Sequence, residues 1–559
     1  MSRDGWKKST VYQIYPMSFL DTNGDGIGDL RGIASKADYL ADLGIGIVWV
    51  CPFFQSPMSD NGYDISDFRA IDPRFGSMED FLELVGSLHE RGIRLIMDLV
   101  VNHCSEEHPW FQEARKSRES PYHDYFIWRD PKPDGSPPNN WRSYFSGSAW
   151  KYEEACGQYF LHLFTDRMPD LNWENPRLRR EVFDIMRFWV DKGVDGFRLD
   201  SMHAYHKETG LPDGDPSNFP VGVEHYSSLP ETHEYVAAMH AELFEPFGLF
   251  TVGETDGVSP VDARRFSAEK REEVNMVVQF QHMDLENQLA PKWFIDQPMD
   301  MEKLRDCLVT WQRELLDEGW NCLYLSNHDQ ARQVSRFGCD SPEYRALSAK
   351  MLATMMHLQR GTPFVYQGEE LGMTNFRFES FDDVRDVEAH NAYEEFVATG
   401  LKTEEELLAG INRRGRDNAR TPMQWTAGEN AGFTSGTPWI RVNASHRDIN
   451  AESQLHDPDS VFAYYKELIR LRKEHAVLVD GDFRTFEDGN PRTFLFGRKL
   501  DDTLLFVAIN PYGDETTYSL PTELVGRKSL PFLSNYGEKR SIHDLVLRPY
   551  EAKAFLVNL

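Results

Sequence analysis

The sequence predicts an α/β chain built on a (β/α)8 TIM barrel, with a domain inserted after the third strand and an antiparallel β domain at the C-terminal end. Three observations carry this. Eight short apolar or β-branched runs recur along the chain, amphipathic helical stretches lie between most of them, and near residue 478 the pattern changes to alternating strands. Parallel strands need a long crossover, usually a helix, and eight such units are the number that closes a barrel.

In order, the runs begin at Val11 (VYQIYPMSF), Gly46 (GIVWVCP), Arg94 (RLIMDLV), Gly196 (GFRLDS), Phe250 (FTVGET), Met276 (MVVQF), Asn321 (NCLYLSN) and Pro363 (PFVYQGEE). Helical periodicity marks connectors such as SMEDFLELVGSLHERG from Ser77 and PRLRREVFDIMRFWVDKG from Pro176. The connection after Cys104 is far too long for a simple crossover and is rich in Pro, Trp, Tyr, Gly and Ser. Residues 104–171 are therefore expected to form an inserted domain over the barrel mouth, splitting the barrel into 1–103 and 172–477. Beyond Leu478, stretches such as TLLFVAINPYGDET and VLRPYEAKAFLVNL alternate between turn residues, which predicts a compact β-sandwich domain over 478–559.

The 559 residues are 40% hydrophobic and 13% aromatic, ample for a large core. With 60 basic and 90 acidic residues the formal charge is −30, and the acidic residues are scattered. Nucleic acid or an anionic membrane would need a basic face, so the balance argues against both and suits a small neutral substrate. The opening MSRDGWKKSTVYQIYP has no apolar signal core, and no stretch approaches the roughly 18 apolar residues of a membrane span. A cytoplasmic protein is expected, and a monomer is plausible. Cys51, Cys104, Cys156, Cys307, Cys322 and Cys339 show no CxxC spacing, which favours reduced thiols over a zinc or redox site. No organic cofactor is implied.

Charged residues at strand ends point to chemistry. Asp98, Asp200, Glu254 and Asp329 fall at or just beyond the C-terminal ends of strands three, four, five and seven, the end where a barrel places its active site. Arg198 lies two residues before Asp200, so both side chains point the same way, and a fixed guanidinium favours the ionised carboxylate that a nucleophile needs. A second carboxyl in a crowded acidic site is pushed to hold a proton near neutral pH. Two such groups about 5 to 5.5 Å apart perform double displacement with retention at an anomeric carbon, and a third carboxylate stabilises the oxocarbenium-like transition state.

The loop DTNGDGIGD places oxygen ligands at alternating positions, Asp21, Asn23, Asp25, the Ile27 carbonyl and Asp29, with Gly26 allowing a sharp turn. It begins like an EF-hand loop, yet Gly32 stands where a bidentate Glu is expected. A structural, non-catalytic Ca2+ or Mg2+ is the favoured reading over a metal-free loop of Asx turns.

At these residues the chain resembles the α-amylase superfamily, glycoside hydrolase family thirteen, and within it the oligo-1,6-glucosidase and α-glucosidase group. The matching segments, in family order, are YQIYPMSFLDTNGDGIGDLRGI, NGYDISDF, DLVVNHCS, MPDLNWENP, GFRLDS, VGET, NHDQAR, GTPFVYQGEE and RDNARTPMQW. The resemblance implies Asp200 as nucleophile, Glu254 as acid/base and Asp329 as transition-state stabiliser. It implies that Asp60, Tyr63, His103, Arg198, His328 and Arg416 line the pocket for the terminal glucose, with Phe145 closing its side. Asp60 and Arg416 would hold the non-reducing end, giving an exo-acting enzyme.

Linkage preference rests on Ser201, which follows the nucleophile and belongs to the leaving-group subsite. In the group, valine there goes with α-1,6 preference and alanine or threonine with α-1,4; serine departs from the α-1,6 pattern. Met168 and Gln281 also depart from the residues common in oligo-1,6-glucosidases. The leading expectation is hydrolysis of short α-glucosides of isomaltose or isomaltulose type, with α-1,6 slightly preferred. The alternatives are a sucrose isomerase, whose basic cluster after strand six is replaced here by MDLENQ from Met283, a trehalose-6-phosphate hydrolase, and a non-catalytic transporter heavy-chain-like interaction protein.

Overall fold

The computed structural model describes residues 5–286, 292–538 and 540–559. Its apolar runs form eight parallel strands: β1 Val11–Ile14, β2 Ile47–Val50, β3 Arg94–Leu99, β4 Gly196–Leu199, β5 Phe250–Thr255, β6 Met276–Gln279, β7 Cys322–Leu323 and β8 Thr362–Tyr366. Successive strands pair in order, β8 returns to β1 with Phe364 opposite Val11, and a single bridge between Val277 and Asn321 closes the circuit from β6 to β7. The run at Val11 is shorter than its apolar stretch because Pro16, which has no N–H for a ladder, starts a 3-10 turn over Pro16–Ser18. Register sets the site. Asp98 lies opposite Arg198, Arg198 opposite Val252, and Glu254 opposite Val278, so three neighbouring strands present these side chains at one end of the barrel.

The crossover helices start where the sequence satisfies their free N–H groups. Ser77 and Asp80 form a capping box for Met78–Glu90, whose Phe81, Leu84 and Leu88 are buried. Asn175 caps Pro176–Asp191, which buries Leu178, Val182, Met186 and Trp189. Each such apolar side chain contributes about 1.5–3 kcal/mol by leaving water, which outweighs the weak intrinsic helix preference of these residues.

Between β3 and β4 the chain forms a three-stranded antiparallel sheet of Trp128–Arg129, Gln158–Leu161 and Trp150–Glu153. Bridges from His103 to Asp170 and from Phe126 to Leu171 tie it back to the barrel. Its core of Trp141, Trp150 and Leu161 is shared with Ala204, Leu211 and Tyr226 of the connection after β4. That connection and a longer one after β8, which carries Val387–Ala392 and Glu404–Arg414, were not distinguished from ordinary crossovers by sequence.

The C-terminal part forms a five-stranded antiparallel sheet in the order Asp482–Thr485, Phe494–Leu500, Thr503–Ile509, Ala552–Asn558, Ser529–Ser534, with a two-stranded ribbon of Thr516–Thr517 and Val546–Leu547. Buried Arg498 donates to the carbonyls of Leu478 at 2.9 Å and Gly481 at 2.7 Å, joining sheet to barrel. Among the described residues no helix is long and apolar enough to cross a membrane.

Candidate active site

Arg198 occupies the centre of the mouth, 2% exposed, with its guanidinium 5.3 Å from the centre of the Trp49 ring. Nη1 donates to Asp98 Oδ1 at 2.7 Å and also to Asp200 Oδ1, while Nη2 donates to Glu254 Oε1. Trp49 Nε1 donates to the other Asp98 oxygen at 2.8 Å. One cation thus serves three carboxyls, two buried and that of Glu254 nearly so, and the uncompensated charge is relieved by retaining protons. Burial raises Glu254 to about 8, with Arg198 opposing and Asp200 adding to the rise; burial likewise raises Asp98 to about 6. At about 8, Glu254 favours the protonated form at neutral pH.

Ser201 follows with φ 44° and ψ 38°, the left-handed region that residues with side chains seldom occupy. This conformation turns its N–H onto Glu254 Oε2 at 2.9 Å and its Oγ onto Asp200 Oδ2 at 3.2 Å. A single residue therefore touches both carboxyls, in each case at the oxygen that Arg198 does not hold.

Asp329 anchors a second cluster. It accepts from Arg420 Nη2 at 2.7 Å and Arg416 Nη1 at 3.2 Å, and His328 Nε2 lies 3.0 Å away. Burial works to raise the Asp329 carboxyl, but His328, Arg416 and Arg420 together hold it well below the usual carboxylate range. Burial likewise opposes charge on His328, yet Asp329 overcomes it and lifts the imidazole to about 10. Tyr63 stacks on His328 with ring centres 5.2 Å apart, and its hydroxyl lies 2.7 Å from Nε2. Arg416 also donates to Asp60 Oδ1 at 3.0 Å and lies 4.8 Å from the Phe145 ring centre.

His103 is held from behind. Its Nδ1 is 3.3 Å from Asn102 Nδ2, and Asn102 Oδ1 accepts from buried Lys207, which pairs with Asp170 at 2.7 Å. His103 Nε2 is buried without a hydrogen-bond partner in the protein, while the residue lines the cavity.

These groups open on a cavity of 1170 Å³ lined by Asp60, Tyr63, His103, Phe145, Asp200, Ser201, Glu254, Asp329 and Arg416. Two expectations need correction. Arg198 and His328 do not line it; at 2% and 0% exposed they lie behind the wall, Arg198 holding Asp98, Asp200 and Glu254 through its Nη atoms and His328 set between Asp329, Tyr63 and Gln13. Met168 and Gln281 do line it, as do Met283, Asp284 and Leu285 of the segment after β6, whereas Asn287 and Gln288 lie outside the described residues.

Sequence reasoning missed Trp49, Asp386 and Arg420. Arg420 had a signal, since it stands four residues after Arg416 around the short helix Asp417–Arg420 and so shares its face. Asp386 had none: it sits in the long connection after β8, 1% exposed, accepts from Arg416 Nε at 3.0 Å, and is held down to about 2 by Arg416 and Arg420 against the opposing effect of burial.

The Asp21–Asp29 loop is closed by its own hydrogen bonds. Asp21 Oδ1 accepts from Asn23 N and Gly24 N at 2.9 and 2.8 Å, and Oδ2 accepts from Gly26 N at 2.8 Å and from Thr434 Oγ1. Asp29 accepts from Thr22 and caps the helix Leu30–Ser35 through Gly32 N. Gly26 has φ 90°, and a Cβ there would lie 1.8 Å from the Thr437 carbonyl oxygen, so only glycine fits. The donor set is all oxygen, as a hard cation requires, but among the described residues no three Asp, Glu, His or Cys side chains gather to hold a metal.

An eight-stranded parallel barrel whose C-terminal mouth sets two carboxyls on one arginine, one of them raised by burial to hold a proton, has the architecture of a barrel glycoside hydrolase. The chain belongs to the α-amylase family: residues 13–481 match the domain described as "Alpha amylase, catalytic domain". It is 49% identical over 564 residues to an oligo-1,6-glucosidase of Parageobacillus thermoglucosidasius, covering 100% of both chains. It is 48% identical to an oligo-1,6-glucosidase of Halalkalibacterium halodurans, covering 100% of this chain and 99% of the relative. Among solved structures, a variant of Bacillus licheniformis trehalose-6-phosphate hydrolase superposes with a TM-score of 0.95 at 43% identity, covering 99% of this chain and 100% of that one.

Proposed function

We propose that the protein is a retaining, exo-acting α-glucosidase that releases glucose from the non-reducing end of short α-glucosides, with α-1,6 links slightly preferred. Asp200 attacks the anomeric carbon, Glu254 protonates the departing oxygen and then deprotonates the incoming water, and Asp329 faces the developing positive charge. The carrying observation is the shared guanidinium of Arg198, which binds Asp200 and Glu254 together while burial leaves a proton on Glu254. Asp60, Arg416 and Phe145 wall off one end of the cavity, which supports attack on chain ends over internal bonds.

A neutral sugar is favoured over a phosphorylated one by the basic residues around the cavity. Lys292 pairs with Glu388, Arg336 and Arg414 both pair with Glu286, and Lys303 lies 4.0 Å from Asp300. Among the described lining residues no uncommitted basic cluster faces the ligand. The six cysteines are all free, in keeping with a cytoplasmic setting. A structural Ca2+ or Mg2+ in the Asp21–Asp29 loop is proposed on the all-oxygen character of its donors; the metal-free loop held by its own hydrogen bonds is the alternative.

The test is glucose release from isomaltose, maltose, sucrose, isomaltulose and trehalose 6-phosphate in parallel, with the product anomer followed by NMR. Isomaltose should lead and α-glucose should appear first. β-Glucose first would refute double displacement, isomerised disaccharide from sucrose would make the protein an isomerase, and no release from any sugar would leave only a binding role.

A further inference from the structure

Phe145 stands at the tip of a hairpin in the region between β3 and β4, where Arg142 bridges to Ser148 and Ser146 and Gly147 turn the chain with φ 75° and 79°. Locally the tip is held by Phe145 N, which donates to Ser143 Oγ at 2.9 Å, and by the Phe145 ring, which lies edge-on to Phe164 with ring centres 5.5 Å apart. Here it is tied across the cavity to the connection after β8. Asn391 Nδ2 donates to the Phe145 carbonyl at 2.8 Å, and Arg142 Nη2 donates to Glu395 Oε1 at 2.8 Å. The helix that carries Asn391, Val387–Ala392, is capped by Asp386, which accepts from Glu388 N at 3.1 Å. Asp386 in turn binds Arg416 at 3.0 Å, and the Arg416 guanidinium faces the Phe145 ring. The contacts make a closed ring from Asp386 to Arg416, to Phe145, to Asn391 and back along the helix.

We propose that Asn391 and the Arg142–Glu395 pair are positioning residues that fix Phe145 as the end wall of the glucose pocket and so set the enzyme's restriction to unextended chain ends. The inference rests on the exo-glucosidase reading above and names what enforces it. Asp60 and Arg416 occupy the floor of that end, but they bond to each other and to the barrel loops without the hairpin. The hairpin wall is joined to the far side of the cavity by the tie, which adds to its contacts with Ser143 and Phe164. Cutting the tie leaves the reacting carboxyls and their partners in place while freeing the tip to swing, which admits a substituent on the terminal sugar and loosens the grip on an unsubstituted one.

The experiment compares 4-nitrophenyl α-glucoside with its 4,6-O-benzylidene derivative, whose terminal hydroxyls are blocked. Wild type should turn over the first and scarcely the second. Asn391→Ala should raise KM for the free glucoside roughly 5- to 20-fold with kcat changed less than about 2-fold, as lost ground-state positioning requires, and raise the blocked-to-free ratio of kcat/KM at least about 10-fold. Arg142→Gln and Glu395→Gln should move the ratio the same way by a smaller factor. The exchange Arg142→Glu with Glu395→Arg, which remakes an exposed ion pair, should bring it back. An Asn391→Ala enzyme with wild-type thermal unfolding and an unchanged ratio overturns the proposal, as does failure of the charge exchange to restore a ratio that the single changes had raised. Absence of wild-type turnover on the free glucoside would instead refute the glucosidase reading, and the proposal with it.

Discussion

If Glu254 is the general acid proposed above, raising the pH through 8 should switch the reaction off by removing the proton the leaving group needs. An ordinary glutamate titrates at 4.5 and burial carries this one to about 8, opposed by Arg198 and assisted by Asp200. At about 1.4 kcal/mol per pH unit the change favours the protonated acid by about 5 kcal/mol. Below 8 the acid is loaded; above it kcat/KM for isomaltose should fall about tenfold per pH unit. The stability linkage has the same sign. The native state keeps a proton that the unfolded chain gives up above 4.5, so the Glu254 contribution is fully present below 4.5 and is lost as pH rises to about 8. The assay is kcat/KM between pH 5 and 10 at constant ionic strength, on isomaltose and on α-glucosyl fluoride, whose leaving group needs no proton. The fluoride profile should lack the basic limb in the glycosylation step. Glu254→Gln should lose about 10²- to 10⁴-fold on isomaltose and much less on the fluoride. A basic limb near pH 5, or one that persists unchanged in Glu254→Gln, would refute the assignment of the acid.

Three further outcomes follow from the same geometry. Ser201→Val puts a β-branched side chain into a left-handed conformation, at a cost of about 1–2 kcal/mol, and removes a hydroxyl from Asp200; the ratio of α-1,6 to α-1,4 turnover should rise, and an unchanged ratio would remove Ser201 from the leaving-group subsite. Arg420→Gln deprives Asp329 of one of three cationic partners, so its carboxyl moves up toward the ordinary carboxylate range, the acid limb of kcat/KM shifts to higher pH, and chemical denaturation near neutral pH should register a loss of about 2 kcal/mol that shrinks as pH falls and Asp329 protonates. If the Asp21–Asp29 loop holds Ca2+, a chelator should lower Tm by about 2 °C relative to Ca2+ at 100 times its Kd, given the unfolding entropy of a chain this long, and Asp25→Ala should abolish the difference; equal Tm values would establish the metal-free loop.

The barrel was legible because its information is local and repeated. A run such as RLIMDLV at Arg94 or FTVGET at Phe250 has to be covered on both faces, and a helix between two such runs imposes parallel pairing and the order of the strands. The same regularity placed Asp98, Asp200 and Glu254, since a side chain at the C-terminal end of a barrel strand has only one mouth to face. Less regular pieces were harder. The connection after β8 has no periodicity that marks it as part of the site, yet it supplies Asp386, Arg416 and Arg420 to the cluster around Asp329.

Strand count, strand order and the identity of the acidic residues at the mouth are thus properties of the sequence alone, because they depend on spacing along the chain. Which carboxyl keeps its proton, which residues stand behind the wall, and what ties Phe145 across the cavity were decided by tertiary structure. Those depend on burial and on charges brought together from positions as far apart as Asp60 and Arg416, and a Coulomb interaction over a few ångströms leaves no trace in the spacing of the residues that make it.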